Sequence, residues 1–158
     1  TASEKKVSEN EPVIIDFGSR DTYTSDYTRM IYAGSDSEVF KVIDIVRSAL
    51  EKAVESIEEG IICSDVDNAA RAYIEEQGYG AYFNHSLGHG VGIDVHELPV
   101  LKPKSDILLE DNMIFTIEPG IYLPEKFGVR LEQTVLINNG KPEIISSALD
   151  KYVYTLVD

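Results

Sequence analysis

The sequence predicts an α+β fold of one domain, and three observations lead to that prediction. The chain has 158 residues, which is close to the usual size of a single domain. Two helical patterns follow one another, with a pair of strand-like segments before them and four strand-like segments after them. Because the helices are grouped together and do not alternate with strands, this order favours α+β over a parallel sheet of βαβ units.

The first predicted elements are a hairpin and a long helix. Residues 11–18 and 23–34 are rich in apolar and β-branched residues and are expected to pair as two strands. Ser35 and Glu38 form the S-x-x-E pattern of a capping box, which predicts a helix from Ser35 to about Glu59. Apolar residues recur at helical spacing throughout that segment.

The rest of the chain predicts a shorter helix and further strands. The helix is expected from Ser64 to about Gln77, with Gly78 as the residue that ends it. Residues 101–112 are expected to form a loop. The strands after it are expected over residues 113–123, 129–137, 142–146 and 152–157.

Composition and charge exclude several classes of function. The 28 acidic and 14 basic residues give a net charge of −14, which disfavours nucleic acid as a partner. No apolar run approaches the roughly 20 residues of a membrane span, so no membrane partner is expected. Cys63 is the only cysteine; an intrachain disulfide is therefore impossible, and a cytoplasmic location is predicted.

All three histidines lie within one glycine-rich segment of twelve residues: His85, His89 and His96. The H-E-x-x-H zinc motif is absent, and each glycine between them would cost a helix about 1 kcal/mol. The glycines also lack the strand–turn–helix context of a dinucleotide-binding loop. We therefore expect extended chain here, in which glycine beside His89 lets the backbone approach a ligand closely.

Four acidic residues interrupt apolar, strand-like segments: Asp16, Asp26, Glu118 and Glu132. A carboxylate in a buried strand costs several kcal/mol unless it is paired or bound to a metal. A hairpin centred near residue 21 would place Asp16 directly opposite Asp26, and two like charges at that distance need a cation between them.

This set of side chains indicates hydrolytic metal chemistry. One imidazole with four carboxylates suits hard or borderline divalent ions, and four carboxylates are enough to bridge two of them. Two ions that share a hydroxide polarise a carbonyl and supply a nucleophile at neutral pH. The residues themselves therefore predict a dinuclear metallohydrolase, and they leave its substrate open.

Several long strings resemble the pita-bread metallopeptidases, most closely the Xaa-Pro dipeptidase (prolidase) and aminopeptidase P branch. The strings are DFG at 16–18, SDYTR at 25–29, HSLGHGVGIDVHELP at 85–99 and FTIEPGIYLPEKFGVRLEQTVLI at 115–137. The resemblance implies a pita-bread (creatinase/aminopeptidase) fold with an antiparallel curved sheet and two helices. It also implies that residues 1–158 are the C-terminal part of a catalytic domain, without its N-terminal domain and first helical half.

The resemblance also assigns roles to individual residues. The metal ligands would be Asp16, Asp26, His89, Glu118 and Glu132, with Asp26 and Glu132 bridging two divalent ions (Mn, Co or Zn). The catalytic and substrate-binding residues would be Glu118 as general base, His85 and His96 beside the substrate, and Tyr122 and Arg130 in support. Plain core packing is the alternative for Tyr122, and a structural salt bridge is the alternative for Arg130.

The function implied by the resemblance is hydrolysis of the Xaa-Pro bond of dipeptides or short peptides through a metal-bridging hydroxide. The substrate would be a small peptide with proline at the second position, the protein would be a homodimer, and the isolated chain would be weakly active or inactive. Methionine aminopeptidase, which shares the five ligands, is one alternative. A non-catalytic protein-binding module and a metal-free hydrolase of the creatinase kind are others, which the complete ligand set disfavours.

One spacing and one residue depart from the pattern of the family. Asp16 and Asp26 are ten residues apart, one fewer than is usual in these enzymes. We expect the turn to absorb the difference, because a slip within the ladder would move one side chain to the other face. Gln133 replaces an acidic residue that commonly follows the last glutamate ligand.

Overall fold

Two α-helices and nine strands form the part of the chain that the computed structural model describes, residues 4–8 and 10–148. In chain order the elements are β1 (Val13–Arg20), β2 (Thr24–Ile31), α1 (Ser37–Glu55), α2 (Cys63–Glu76), β3 (Gly88–Gly90), β4 (Glu97–Leu101), β5 (Ile114–Ile117), β6 (Gly120–Leu123), β7 (Phe127–Arg130), β8 (Gln133–Asn138) and β9 (Lys141–Ile144). A single 3₁₀ turn, Gly80–Tyr82, lies between α2 and β3.

The strands form three sheets in which every pair is antiparallel. β1 and β2 form a hairpin, β6 and β7 form a second one, and the largest sheet has the order β4-β3-β5-β8-β9. The two helices are adjacent in the chain and pack on each other. The predicted α+β class with an antiparallel sheet is therefore confirmed.

One long ladder connects two of these sheets. β5 pairs with β8 through Ile117 and Gln133, and β6 pairs with β7 through Gly120 and Arg130. The register is the same on both sides of the break, so the residues in the break also face each other. Those residues are Glu118 and Pro119 on one side and Leu131 and Glu132 on the other.

The core lies between the helices and the strands of this ladder. α1 contacts β5, β6 and β7, and α2 contacts β4. Each helix presents an apolar stripe to the sheet, as its 3.6-residue period requires. Fully buried members of the core are Val42, Val46, Ala49, Ala53, Val66, Ala70, Ile74, Phe115, Ile117, Ile121, Val129, Val135 and Ile137.

The long helix begins later and ends earlier than the sequence predicted. Its N-cap is Asp36, whose carboxylate accepts a hydrogen bond from the backbone N–H of Glu38 at 2.8 Å; the capping box predicted at Ser35 is wrong. Asp and Ser are both good caps, so the sequence pattern did not separate adjacent positions. The helix ends at Glu55.

Among the described residues, neither α-helix has the length and apolar character that a membrane span requires.

The predicted strands need two corrections. Residues 113–123 and 129–137 are each broken into two strands, since a buried carboxylate and Pro119 interrupt the ladder. β3 and β4 were not expected, because β3 has three residues and β4 contains Pro99, which is depleted in strands. The strand predicted at 152–157 lies outside the described residues.

The helix cap provides a test of the fold. Asp36→Ala removes the bond to the Glu38 N–H and is expected to lower the free energy of unfolding by about 1 kcal/mol. Ser35→Ala, one residue earlier, is the matched control and should leave it nearly unchanged. Urea unfolding of the two variants measures both values, and a larger loss for Ser35→Ala would restore Ser35 as the cap.

Candidate metal centre

The β1–β2 hairpin places Asp16 and Asp26 on one face but not opposite each other. Asp16 pairs with Thr28, and Asp26 pairs with Gly18. The turn is centred one residue later than expected. The two aspartates are therefore diagonal neighbours on adjacent strands, because the partner of Asp26 lies two residues after Asp16. The shared face is as predicted, whereas the direct opposition is not, and Thr28 occupies the place beside Asp16.

The break in the long ladder supplies the two glutamates. Glu118 follows the last residue of β5, and Glu132 precedes the first residue of β8. Because the register continues across the break, the two residues lie opposite each other on neighbouring segments. The sequence predicted both glutamates inside regular strands. In the structure they lie instead at the break in the ladder.

His89 comes from the short central strand β3. A Cβ atom on Gly88 would lie 1.8 Å from the carbonyl oxygen of Thr116, and one on Gly90 would lie 2.2 Å from that of Leu98. Only glycine lets β3 fit between β4 and β5 at these positions. The close approach that the structure gives these glycines is thus to neighbouring backbone, and approach to a ligand stays a prediction.

The ring of His89 is oriented by the backbone carbonyl of the next residue, Gly90. Its Nδ1 lies 3.0 Å from the carbonyl oxygen of Gly90, which can only accept, so Nδ1 carries the proton. Nε2 then faces two carboxylates, 3.2 Å from Glu118 Oε1 and 3.5 Å from Asp26 Oδ2. A ring nitrogen in this setting holds either a second proton or a metal ion, and the Nδ1–H bond to a carbonyl is typical of metal-binding histidine.

The buried glutamate is the strongest sign that these residues fit a cation. Glu132 is 3% exposed, and its Oε1 has no hydrogen-bond partner in the part of the chain that the structure describes. Ligand-type atoms of Asp16, Asp26 and Glu132 lie within 4.8 Å of one another. A buried carboxylate oxygen without a partner is costly, and hard divalent ions prefer such oxygen donors. These residues fit a divalent metal.

Burial and mutual repulsion perturb the acidic groups. Burial, and then the charges of Asp26 and Glu118, raise the pKa of Glu132 to about 8. Burial and the charge of Asp16 also raise the pKa of Asp26. Burial alone would lower the pKa of His89, but its hydrogen bonds to Glu118 and Gly90 raise it overall. The cluster therefore favours bound protons or another positive charge.

A chain of polar contacts links the cluster to His85. Arg130 Nη2 is paired with Asp16, and its Nη1 donates to the hydroxyl of Tyr122 at 2.9 Å. That hydroxyl lies 3.0 Å from His85 Nε2, and His85 Nδ1 lies 2.7 Å from the carbonyl oxygen of Ser86. Since Nδ1 must donate to the carbonyl, the Tyr122 hydroxyl donates to Nε2. Tyr122 is thus tied into the polar site and is not merely packed in the core.

His96 is also near the cluster, although it belongs to the exposed segment before β4. Its ring centroid lies 4.3 Å from that of His89. Ligand-type atoms of Asp26, His89 and His96 lie within 4.8 Å of one another, so the structure brings His96 close enough to be a further ligand as well as a substrate contact.

These residues share one cleft of about 550 Å³. Its lining includes all five predicted ligands together with His85, His96 and Arg130, and Val95 and Val100 add apolar surface. Tyr122 reaches the cleft through its contacts with His85 and Arg130. The structure therefore brings together every site residue that the sequence predicted.

Three polar residues that sequence reasoning missed support the cluster. Thr28 is fully buried; its hydroxyl accepts from Arg130 Nε at 3.1 Å and donates to the Glu132 carboxylate. Arg29 Nη1 donates to the backbone carbonyl of Glu132 at 2.8 Å, and Thr116 Oγ1 accepts from the His89 N–H at 3.1 Å. The two-residue period from Asp26 to Thr28 was the signal that could have identified Thr28.

The raised pKa of Glu132 predicts how stability depends on pH in the presence of a chelator. Its pKa is about 8 in the folded chain and near the ordinary 4.5 in the unfolded chain, so the folded chain holds the proton more tightly. The contribution of Glu132 to the free energy of unfolding should therefore be largest below about pH 4.5. It should fall as the pH rises to about 8. Asp26 and His89 act in the same direction.

Urea unfolding between about pH 5 and pH 8 in EDTA measures this fall. Glu132→Gln should make it clearly smaller, and Glu110→Gln, at an exposed position, should not change it. An equal fall in wild type and Glu132→Gln would contradict the assignment of Glu132 as the proton-holding group.

Comparisons with known proteins identify the relatives of this chain. A model of metallopeptidase family M24 matches residues 1–139. The Xaa-Pro dipeptidase of Pyrococcus horikoshii is 48% identical over 146 residues, which are 90% of this chain and 42% of the relative. A crystal structure of prolidase from Thermococcus sibiricus has a TM-score of 0.89 at 46% identity, covering 91% of this chain and 40% of that one. X-Pro aminopeptidase from Thermotoga maritima has a TM-score of 0.87 at 42% identity, covering 90% and 41%.

The chain thus spans about 40% of the length of these relatives. The match to the solved structures confirms the pita-bread fold that the sequence motifs implied. Since the family model covers most of the chain, the chain belongs to metallopeptidase family M24.

Proposed function

We propose that this chain provides the metal ligands and substrate-side residues of a dinuclear-metal-dependent peptidase that hydrolyses Xaa-Pro bonds in dipeptides or short peptides. One observation carries the proposal: four carboxylates and one imidazole meet in a cleft where Glu132 Oε1 is buried without a partner among the described residues. Protonation or bound cations are the two ways to stabilise such a cluster near neutral pH.

The proposed ligands are Asp16, Asp26, His89, Glu118 and Glu132. Asp26 belongs to two groups of neighbouring ligand atoms. The first group also contains Asp16 and Glu132, and the second also contains His89 and His96. This central position supports a bridging role for Asp26. Divalent ions bound there would polarise the scissile carbonyl and make a hydroxide nucleophile available at neutral pH. Manganese, cobalt and zinc all suit this donor set.

The remaining residues handle protons and the substrate. Glu118 is half-buried beside His89 and accepts the proton of the attacking water at a carboxylate oxygen, then returns it to the departing proline nitrogen. His85 and His96 line the same cleft and hold the substrate and the oxygen that gains charge. Arg130 neutralises Asp16 and fixes the hydroxyl of Tyr122.

The Xaa-Pro preference rests on the relatives. The proteins from Pyrococcus horikoshii and Thermotoga maritima are named Xaa-Pro dipeptidase and X-Pro aminopeptidase. A small peptide with proline at the second position is accordingly the substrate that we propose. Homodimerisation and a cytoplasmic location stay predictions from the sequence.

The activity is proposed for a polypeptide that contains these residues, because the chain spans about 40% of its relatives. The isolated 158 residues are expected to be weakly active or inactive. Residues 4–148 can instead be grafted in place of the matching segment of the Pyrococcus horikoshii dipeptidase, to which the chain is 48% identical.

In the manganese-loaded graft, we expect hydrolysis of Xaa-Pro dipeptides, measured by release of proline. Glu118→Gln should lower kcat by at least about 100-fold, which is the lower range for loss of a general base. Glu110→Gln is the control, because it makes the same change at an exposed position.

Two results would count against the proposal. A folded graft that binds manganese but cleaves peptides with N-terminal methionine and not Xaa-Pro would favour a methionine aminopeptidase. A graft that binds manganese and cleaves neither class would favour a non-catalytic role for these residues.

A further inference from the structure

Helix α2 carries an ion pair, Asp67 and Arg71, that does not line the cleft of the metal ligands. Asp67 is 1% exposed, and Arg71 holds it with two parallel bonds: Nε to Oδ2 at 2.7 Å and Nη2 to Oδ1 at 2.8 Å. The two residues are one helical turn apart. A bidentate pair of this kind fixes the plane of the guanidinium group.

The same guanidinium group also binds the segment that leads to the cleft. Arg71 Nη1 donates to the carbonyl oxygen of Phe83 at 2.9 Å, and Nη2 donates to the carbonyl oxygen of His85 at 2.9 Å. Its central carbon lies 4.1 Å from the centre of the Phe83 ring. Four hydrogen bonds and one stacking contact therefore meet at a single side chain.

These carbonyl groups need such a donor. Residues 83–87 lie between the 3₁₀ turn and β3 and belong to no helix or strand, so no regular hydrogen bonds satisfy the carbonyls of residues 83 and 85. Phe83 itself is buried, and its ring packs edge-on against that of His85 with centroids 5.0 Å apart. Arg71 thus fixes both the backbone and the ring environment of His85.

We propose that Asp67 and Arg71 are a positioning pair that orients His85 toward the substrate from outside the cleft. Through His85 the pair is connected to the hydroxyl of Tyr122, and through that hydroxyl to Arg130. Neither residue of the pair lines the cleft, so neither is a catalytic residue. The role of His85 toward the substrate rests on the proposed function, whereas the positioning itself can be measured independently.

Arginine is needed here for its geometry as well as its charge. Lysine has the same charge but presents a single ammonium group, which cannot make two parallel bonds to Asp67 and reach two carbonyls at once. Arg71→Lys therefore removes the positioning while keeping the charge. Asp67→Asn keeps the side-chain size but replaces one acceptor oxygen by an amide that opposes the guanidinium donors.

Nuclear magnetic resonance of the histidine rings tests the proposal on the 158-residue chain in EDTA, which makes the result independent of metal binding and activity. The chain has three histidines, so three ring signals are expected, and His85→Gln identifies that of His85. Wild-type His85 should carry its proton on Nδ1. In both Arg71→Lys and Asp67→Asn its signal should shift, while those of His89 and His96 stay in place.

The double variant should shift the His85 signal no further than either single variant, because the two residues act as one unit. Arg47→Lys, the same change on α1 where Arg47 pairs with Asp44, is the matched control and should shift none of the three.

If Arg71→Lys does not fold, Asp67→Asn provides the same readout. An unshifted His85 signal in a folded variant, even one of lower stability, would reduce the pair to a purely structural role. A wild-type His85 protonated on Nε2 would also overturn the proposal.

Discussion

The repulsion among four clustered carboxylates is the constraint on which the rest of the site depends. Asp16, Asp26, Glu118 and Glu132 share one cleft, and Glu132 is almost fully buried within it. Partial loss of water, and then like charges at these distances, raise the pKa values of Asp26 and Glu132. Only positive charge makes the arrangement stable near neutral pH. Arg130 supplies part of that charge, and the donor atoms left over are those that divalent ions bind.

The fold imposes this unfavourable arrangement through three separate backbone devices. The β1–β2 hairpin brings two aspartates to one face, the break in the long ladder sets two glutamates opposite each other, and glycines beside His89 let a third strand pass between its neighbours. The ladder break and β3 lie next to the buried core of helices and strands, and the free energy of that packing offsets the cost of the charges.

Much of the fold class and of the site could be predicted because the signals were local and chemical. Acidic residues inside apolar segments identified Asp16, Asp26, Glu118 and Glu132, and long motifs identified the family. The pairing register, the capping residue and the strand breaks could not be predicted, because Asp36 and Ser35 are nearly equivalent caps and the turn centre shifts by one residue at little cost. The hydrogen bonds from Arg130 to Thr28 and from Arg71 to His85 join residues that are 102 and 14 positions apart in the chain. The two-residue period places Thr28 on the same face as Asp26, but no local pattern gives the distant partner of either residue.

Manganese stoichiometry of the folded chain by equilibrium dialysis is the most direct measurement of whether these carboxylates form a metal centre. We expect saturation at two ions per chain, with loss of binding in Asp26→Asn and in Glu132→Gln. Asp21→Asn, in the exposed turn of the same hairpin, should bind like wild type. Saturation that is the same in all three variants, or a folded wild-type chain that takes up no manganese, would contradict a metal centre built from these residues.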